Sequence, residues 1–157
     1  MARWLVKEEP SHYSFEQFRR DGSTEWSGVH NALALRNLKA MRPGDEGLYY
    51  HTGSEKAVVG TWRVVSVPRP DPSDDRGSWT VKIRPDRPLE APVTLSQMRA
   101  DAAFAGFDLL RISRLSVVSV PEPIWRRVLA LGFPAGHSGQ RPRRKKAVAR
   151  ARSAGST

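Results

Sequence analysis

The sequence predicts an α+β fold in which a small, mixed and partly closed β-barrel is flanked by helices. Three observations lead to this prediction. The 157 residues suit one domain, for which five Trp and five Phe supply a bulky core. Twelve Gly and twelve Pro provide more turns than a helix bundle needs. Strands and helices come in separate runs, which argues against a regularly alternating parallel sheet.

The first third of the chain is predicted to form one strand and two helices. Residues 3–7 are expected to form the strand, which ends in a polar segment. Ser14 and Gln17 are spaced as a capping box for a short helix. Asn31 is suited to cap a second helix, and Pro43 with Gly44 ends it.

The remainder of the domain is predicted to be richer in strands. Two apolar segments, residues 46–52 and 57–67, are separated by a polar stretch of the length of a hairpin loop. A polar loop at 68–77 leads into an alternating strand at 78–84. The last three predicted elements are a short helix capped by Thr94, a strand at 115–120 and a final amphipathic helix.

Positive charge is concentrated at the C-terminal end and defines the predicted domain boundary. Of the formal net charge of +10, +7 lies in residues 135–157, which contain no acidic residue. This segment has too little apolar content to offset the entropy of ordering, so we expect a globular domain at 1–134 and a disordered basic tail at 135–157. The tail either attracts nucleic-acid phosphates or serves only as a solubilising extension; the expected phosphate contacts are Arg143, Arg144, Lys145 and Lys146.

Several classes of function are excluded by what the sequence lacks. It has no Cys, and its four His are not paired at a metal-ligand spacing, so no metal is expected. Neither a phosphate-binding loop nor a dinucleotide fingerprint is present, so no cofactor is expected. The chain opens without an apolar signal core and has no run long enough to span a membrane. We therefore expect a cytoplasmic monomer with no membrane partner.

Lys7 is the most plausible reactive side chain. A lysine near the end of a buried strand can lose its proton through desolvation and then act as a base. Alternatively, Lys7 emerges from the strand and forms an ion pair with Glu8 or Glu9. Since Glu8 and Glu9 are adjacent, their side chains are expected to diverge, which weakens any mechanism based on two carboxylates.

Several aromatic and polar side chains are suited to holding a nucleobase. Trp26 lies in a turn-like stretch before a helix, where it either stacks on a base or plugs one end of the barrel. Tyr50 and His51 end a strand and point to opposite faces, so one or both can reach a site. The amide of Asn31 either caps its helix or reads a base edge.

At these residues the sequence resembles the EVE-domain family. Residues 4–10 are similar to the family's opening strand with its Lys, Glu and Pro, and 26–31 are similar to its Trp-Asp-Gly-Val-Arg-Asn motif. Residues 38–45, 50–53 and 113–117 match further stretches in the right order. The resemblance covers about residues 2–133. Glu8 stands where relatives carry Ser or Thr, and His30 stands where they carry Arg.

This resemblance implies a PUA-like fold, related to YTH and ASCH domains, with a pocket that accepts a base, often a modified one. Positions that match the motifs or complete them form the candidate pocket, and Arg114 is a candidate phosphate contact. The candidate pocket residues are Lys7, Glu8, Glu9, Trp26, Val29, His30, Asn31, Tyr50, His51 and Ser113.

Three functions follow from these observations. The first is a non-catalytic binding domain that recognises a modified base in DNA or RNA. The second is a small hydrolase of modified nucleosides or amides, as in ASCH-like relatives, which uses Lys7 with Glu8 or Glu9. The third is a protein-interaction module with a vestigial pocket.

Overall fold

The computed structural model describes residues 1–134, in which helices pack around a curled sheet that forms a half-barrel. Residues 135–157, which hold the predicted tail with Arg143, Arg144, Lys145 and Lys146, lie outside the described residues. In chain order the elements are β1 Arg3–Glu8, α1 Pro10–Tyr13, α2 Phe15–Asp21, β2 Thr24–Trp26, α3 Ala32–Ala40, β3 Glu46–His51, β4 Ala57–Val64, β5 Arg69–Pro70, β6 Trp79–Thr94, α4 Leu95–Arg99, a 3₁₀ turn Ala102–Phe104, α5 Asp108–Arg111, β7 Val117–Ser119 and α6 Glu122–Gly132.

The main sheet has the strand order β2-β6-β4-β3-β1-β7, and the short β5 pairs with β6 at its side. The β1–β3 pair is parallel, whereas the other pairs are antiparallel. In the parallel pair, Lys7 lies opposite Tyr50 and Glu8 lies opposite His51. The carboxyl ends of β1 and β3 therefore bring these residues to the same edge of the sheet.

The other end of this parallel pair is fixed by the buried carboxylate of Asp45. Its Oδ2 accepts hydrogen bonds from Trp4 Nε1 at 3.0 Å and from the Arg42 N–H at 2.9 Å. Its Oδ1 accepts from the Ala2 N–H at 3.2 Å. A charged acceptor with several donors forms stronger hydrogen bonds than a neutral one, so Asp45 holds the start of β1 against β3.

The core of the half-barrel is built around Trp62, which is fully buried on β4. Its Nε1 donates a hydrogen bond to the Leu48 carbonyl at 2.9 Å, so the indole N–H is satisfied. Its ring lies against Gly47, where a Cβ atom would approach the ring to 2.0 Å. Only glycine at this position leaves space for the ring.

The predicted strands differ most from the structure at β2 and β6, while β4 ends at Val64 rather than at 67 and β7 covers only Val117–Ser119 of the predicted 115–120. The turn predicted around Trp26 contains β2, which the sequence alone does not reveal because it is short and pairs with the distant β6. The strand predicted to end at 84 continues to Thr94. Its Pro85 and Pro88 lie beside register shifts against β4, where a missing N–H is tolerated.

The caps predicted for α2, α3 and α4 agree with the structure, although only the Ser14 half of the first capping box forms, whereas Ser119 does not cap α6, which begins after Pro121 without a side-chain cap. Ser14 Oγ accepts a hydrogen bond from the Gln17 N–H, and Asn31 Oδ1 accepts one from the Ala34 N–H. Thr94 and Gln97 form a complete capping box. Because each cap satisfies an otherwise unpaired N–H group, these residues fix where α2, α3 and α4 begin.

Candidate functional site

A half-open cavity of about 360 Å³ lies beside the carboxyl end of β1. The strand contributes Lys7 and Glu8, and α1 contributes His12 and Tyr13. Residues 24–29, which form β2 and the turn after it, also line the cavity, as does Ser116, the residue before β7. We call this space the first cavity. Its wall combines aromatic rings with charged groups of both signs.

Trp26 belongs both to the core and to the wall of the first cavity. Its residue surface is only 8% exposed, and its ring makes an edge contact with Tyr49 at a centroid distance of 5.7 Å. Tyr49 in turn donates its hydroxyl hydrogen bond to the Tyr13 carbonyl at 2.6 Å. Burial raises the pKa of both tyrosines, so both remain neutral at physiological pH.

Lys7 is held at the edge of the first cavity by a backbone group. Its Nζ donates a hydrogen bond to the Ser113 carbonyl at 2.8 Å, and burial lowers the pKa of the ammonium group. Within residues 1–134, Lys7 forms no ion pair with Glu8 or Glu9, so the expected pairing is wrong. The side chain therefore keeps two N–H donors for a ligand.

Glu8 offers a carboxylate to the first cavity, whereas Glu9 does not line it. Glu8 Oε2 accepts the Glu9 N–H at 3.1 Å and lies 2.9 Å from His12 Nδ1. The carboxylate of Glu9 turns toward Gly53, where a Cβ would come within 2.6 Å of it. The two adjacent carboxylates diverge, as the strand geometry predicts.

Of the candidate residues Val29, His30 and Asn31, only Val29 lines the first cavity. Val29 lines the first cavity and donates its N–H to Ser78 Oγ at 3.2 Å. His30 does not line the cavity, because its Nε2 lies 2.6 Å from Asp74 Oδ2. The Arg76 N–H and His30 hold the pKa of Asp74 below its usual value. Asn31 is occupied in capping α3 and does not line the cavity either.

His51 is also a structural residue, because its ring is held by other parts of the chain. It is 8% exposed, and both ring nitrogens have partners. Nε2 accepts a hydrogen bond from the Phe15 N–H at 3.1 Å, which leaves the proton on Nδ1, 2.8 Å from Glu55 Oε1. No ring nitrogen is left for a base. His51, a candidate pocket residue, does not line the first cavity in this structure.

Tyr50 and Ser113 line a separate cavity of about 200 Å³, which shares Lys7 with the first. Arg114, the next residue in the chain, is exposed.

Several residues that line the first cavity were not predicted from the sequence. Pro10 at the first position of α1 was the available signal for His12 and Tyr13, because proline favours a helix start. The missed residues are His12, Tyr13, Thr24, Glu25, Ser27, Gly28 and Ser116.

Two further properties concern the part of the chain that the structure describes. Within residues 1–134, no group of three His, Asp or Glu side chains is arranged to hold a metal ion. No helix in this range is both long and apolar enough to cross a membrane.

Comparison with known proteins places the chain in a family. The sequence-family model of the EVE domain matches residues 2–131 of this chain. The chain belongs to the EVE-domain family. A Rhodopseudomonas palustris protein solved by NMR is similar over 87% of this chain and 97% of its own, with 38% identity and a TM-score of 0.82.

Human relatives are more distant. Human thymocyte nuclear protein 1 is 30% identical over 82 residues, which is 45% of this chain and 36% of the human protein. The chain thus spans about a third of the length of this curated relative. Human THYN1, solved in complex with DNA containing 5-methylcytosine, has a TM-score of 0.76 at 22% identity, over 84% of this chain and 98% of that one. This likeness confirms the predicted PUA-like α+β fold.

Proposed function

We propose that this protein binds nucleic acid without catalysis and takes one unstacked or flipped base, modified in its preferred ligand, into the first cavity. The observation that carries the proposal is the meeting of Tyr13 and Trp26 with Lys7 and Glu8 around one half-open space of about 360 Å³. A base needs such a combination, since its faces stack on aromatic rings and its edge forms hydrogen bonds.

The polar groups around the first cavity suit a base edge that presents both donors and acceptors. The Glu8 oxygen that His12 leaves open can accept from an exocyclic amine, such as N4 of cytosine. Lys7 can donate to a base carbonyl. Gly28 has φ +74°, and no heavy atom lies within 4 Å of the Cβ position, so a ligand can approach its backbone. Human THYN1, a member of the same fold, was solved with DNA that carries 5-methylcytosine, which supports the choice of ligand.

A hydrolase is the second candidate, because the lowered pKa of Lys7 and the carboxylate of Glu8 occur at the same cavity. Against it, Lys7 Nζ is directed to the Ser113 carbonyl rather than to Glu8. The two functions separate in one assay: a hydrolase converts modified nucleosides to products and loses this activity in Lys7→Ala. A binding domain leaves the nucleoside intact.

The binding experiment compares the full chain with Tyr13→Ala and Trp79→Ala on short DNA and RNA oligonucleotides, with and without 5-methylcytosine. Tyr13 is partly exposed in the first cavity, whereas Trp79 is a partly exposed aromatic residue that does not line it. We expect Tyr13→Ala to weaken binding of the preferred base roughly 5- to 150-fold, as loss of a stacking contact of about 1–3 kcal/mol implies. Trp79→Ala should bind normally.

The salt dependence completes the experiment. Selective binding of one base that persists at moderate salt supports a base reader. Binding without base selectivity that disappears as salt rises would leave only phosphate attraction. Absence of binding to every oligonucleotide would instead favour a protein-interaction module, and either of these results rejects the proposed function.

A further inference from the structure

The separate cavity that contains Tyr50 and Ser113 lies between the end of β3, the β3–β4 hairpin and α4, with a volume of about 200 Å³. We call it the second cavity. It adjoins the first cavity through Lys7, which lines both. Lys56 and Arg99 also line the second cavity, and the proposed base reader leaves both without a role.

The charge around the second cavity is predominantly positive. No carboxylate lines it, and within residues 1–134 no carboxylate oxygen lies within 4.0 Å of the charged nitrogens of Lys7, Lys56 or Arg99. Two carboxylates are nearby: Glu55 is bonded to His51, and Glu9 lies against Gly53. The three cations that line the second cavity outnumber the two nearby carboxylates, so the second cavity favours an anion.

A buried donor points to the same class of ligand. Tyr50 lines the second cavity and is only 4% exposed, yet within residues 1–134 its hydroxyl forms no hydrogen bond. Burial raises the pKa of this phenol, an effect that the charge of Arg99 partly offsets. The hydroxyl therefore keeps its proton at physiological pH. A buried hydroxyl without a partner costs free energy, which a bound acceptor recovers.

We propose that the second cavity binds a phosphate group of the nucleic-acid strand whose base occupies the first cavity. This inference rests on the proposed function and adds the position of the strand. The planar guanidinium of Arg99 can form paired hydrogen bonds to two phosphate oxygens, while Lys56 and Lys7 act as point charges. Tyr50 supplies a neutral donor, and the shared Lys7 places the phosphate next to the base.

The test removes the two cations that do not line the first cavity. Lys56 has φ +47°, a backbone conformation that favours glycine, so Lys56→Gly removes the amine without straining the hairpin. It is combined with Arg99→Gln in the full chain. Arg84→Gln is the control, because Arg84 is exposed and lies far from the second cavity. Arg84 lies opposite Arg63 on β4. Arg63 is six residues from Ala57, the residue after Lys56, which corresponds to about 20 Å along the strand.

We expect the double variant to bind the preferred oligonucleotide roughly five- to tenfold more weakly at about 0.1 M salt. The slope of log Kobs against log salt should fall by about 1, while the ratio between modified and unmodified bases stays unchanged. Arg84→Gln should leave the slope near that of the native protein. Urea unfolding of each variant checks that its stability is retained.

The outcomes separate this site from the base reader. Unchanged affinity and slope with intact base selectivity would overturn the phosphate site and leave the proposed function standing. A lower slope in a protein without base selectivity would support a phosphate site at the second cavity but reject the base reader, and with it the placement of this phosphate beside a bound base. If inorganic phosphate competes as effectively as the oligonucleotide, the cavity binds free phosphate and the assignment to the strand is wrong.

Discussion

Replacement of Trp26 should change stability and binding together, because its ring is both a core residue and a wall of the first cavity. Trp26→Ala truncates a residue that is only 8% exposed and whose ring packs on Tyr49. Such a truncation lowers the free energy of unfolding by about 3–5 kcal/mol. For a domain of this size, the melting temperature should fall by roughly 10–20 °C.

The effect on binding is separable because it is measured on folded protein. Loss of one stacking contact weakens base binding roughly 5- to 150-fold, after correction for the folded fraction obtained from urea unfolding at low temperature. Trp26→Phe keeps an aromatic ring and should lose less unfolding free energy and less base affinity than Trp26→Ala. An unfolding free energy within about 1 kcal/mol of native would refute the core role. Normal base affinity in folded Trp26→Ala would show that Trp26 is only a plug.

Three further substitutions test other parts of the structure. Asp45→Ala should lower the free energy of unfolding by about 2–4 kcal/mol, because it leaves the indole N–H of Trp4 buried without a partner. Asn31→Ala should cost about 1 kcal/mol through loss of the α3 cap and leave base affinity unchanged, since Asn31 does not line the first cavity. For Lys7→Met, the pH dependence of stability is diagnostic. Folding lowers the pKa of Lys7 below 10.5, so at pH values between the lowered pKa and 10.5 the unfolded chain binds more protons than the folded chain. The native protein should therefore gain stability relative to Lys7→Met as pH rises through this interval.

Urea unfolding measures all three, with exposed Asp75→Ala as the control for Asp45→Ala. A loss in Asp45→Ala no larger than in Asp75→Ala would contradict its role at the start of β1. Weaker base binding by well-folded Asn31→Ala would show that the amide reads the base. A constant difference between native protein and Lys7→Met from pH 7 to about 10.5 would show that Lys7 is not desolvated.

The sequence predicted those parts of the fold that depend on local signals. Ser14, Asn31 and Thr94 were recognisable because a helix cap is a contact between residues three apart. The strand β2 and the second half of β6 were not predictable in this way. The first exists through pairing with a strand more than fifty residues away, and the second carries Pro88 at an irregular position of the ladder.

The candidate site was predicted in part for a similar reason. Lys7, Trp26 and Val29, which lie in the motifs, line the first cavity, and so does Glu8, which departs from the motif. His51 lies in a matching motif, but its two nitrogens are taken by partners that only the folded chain brings near. A motif specifies which residues occur together, whereas their remaining hydrogen-bonding capacity depends on tertiary contacts.

The most direct test of base recognition follows the backbone amide and indole N–H signals of the full chain by NMR during titration with an oligonucleotide that contains 5-methylcytosine. Trp62 and Trp4 are internal references, because their Nε1–H groups are bonded to the Leu48 carbonyl and to Asp45 inside the core. A base in the first cavity should shift the signals of Trp26 and of the Tyr13 backbone while Trp62 and Trp4 stay in place. If only signals from residues 135–157 move, the base-reader account is contradicted.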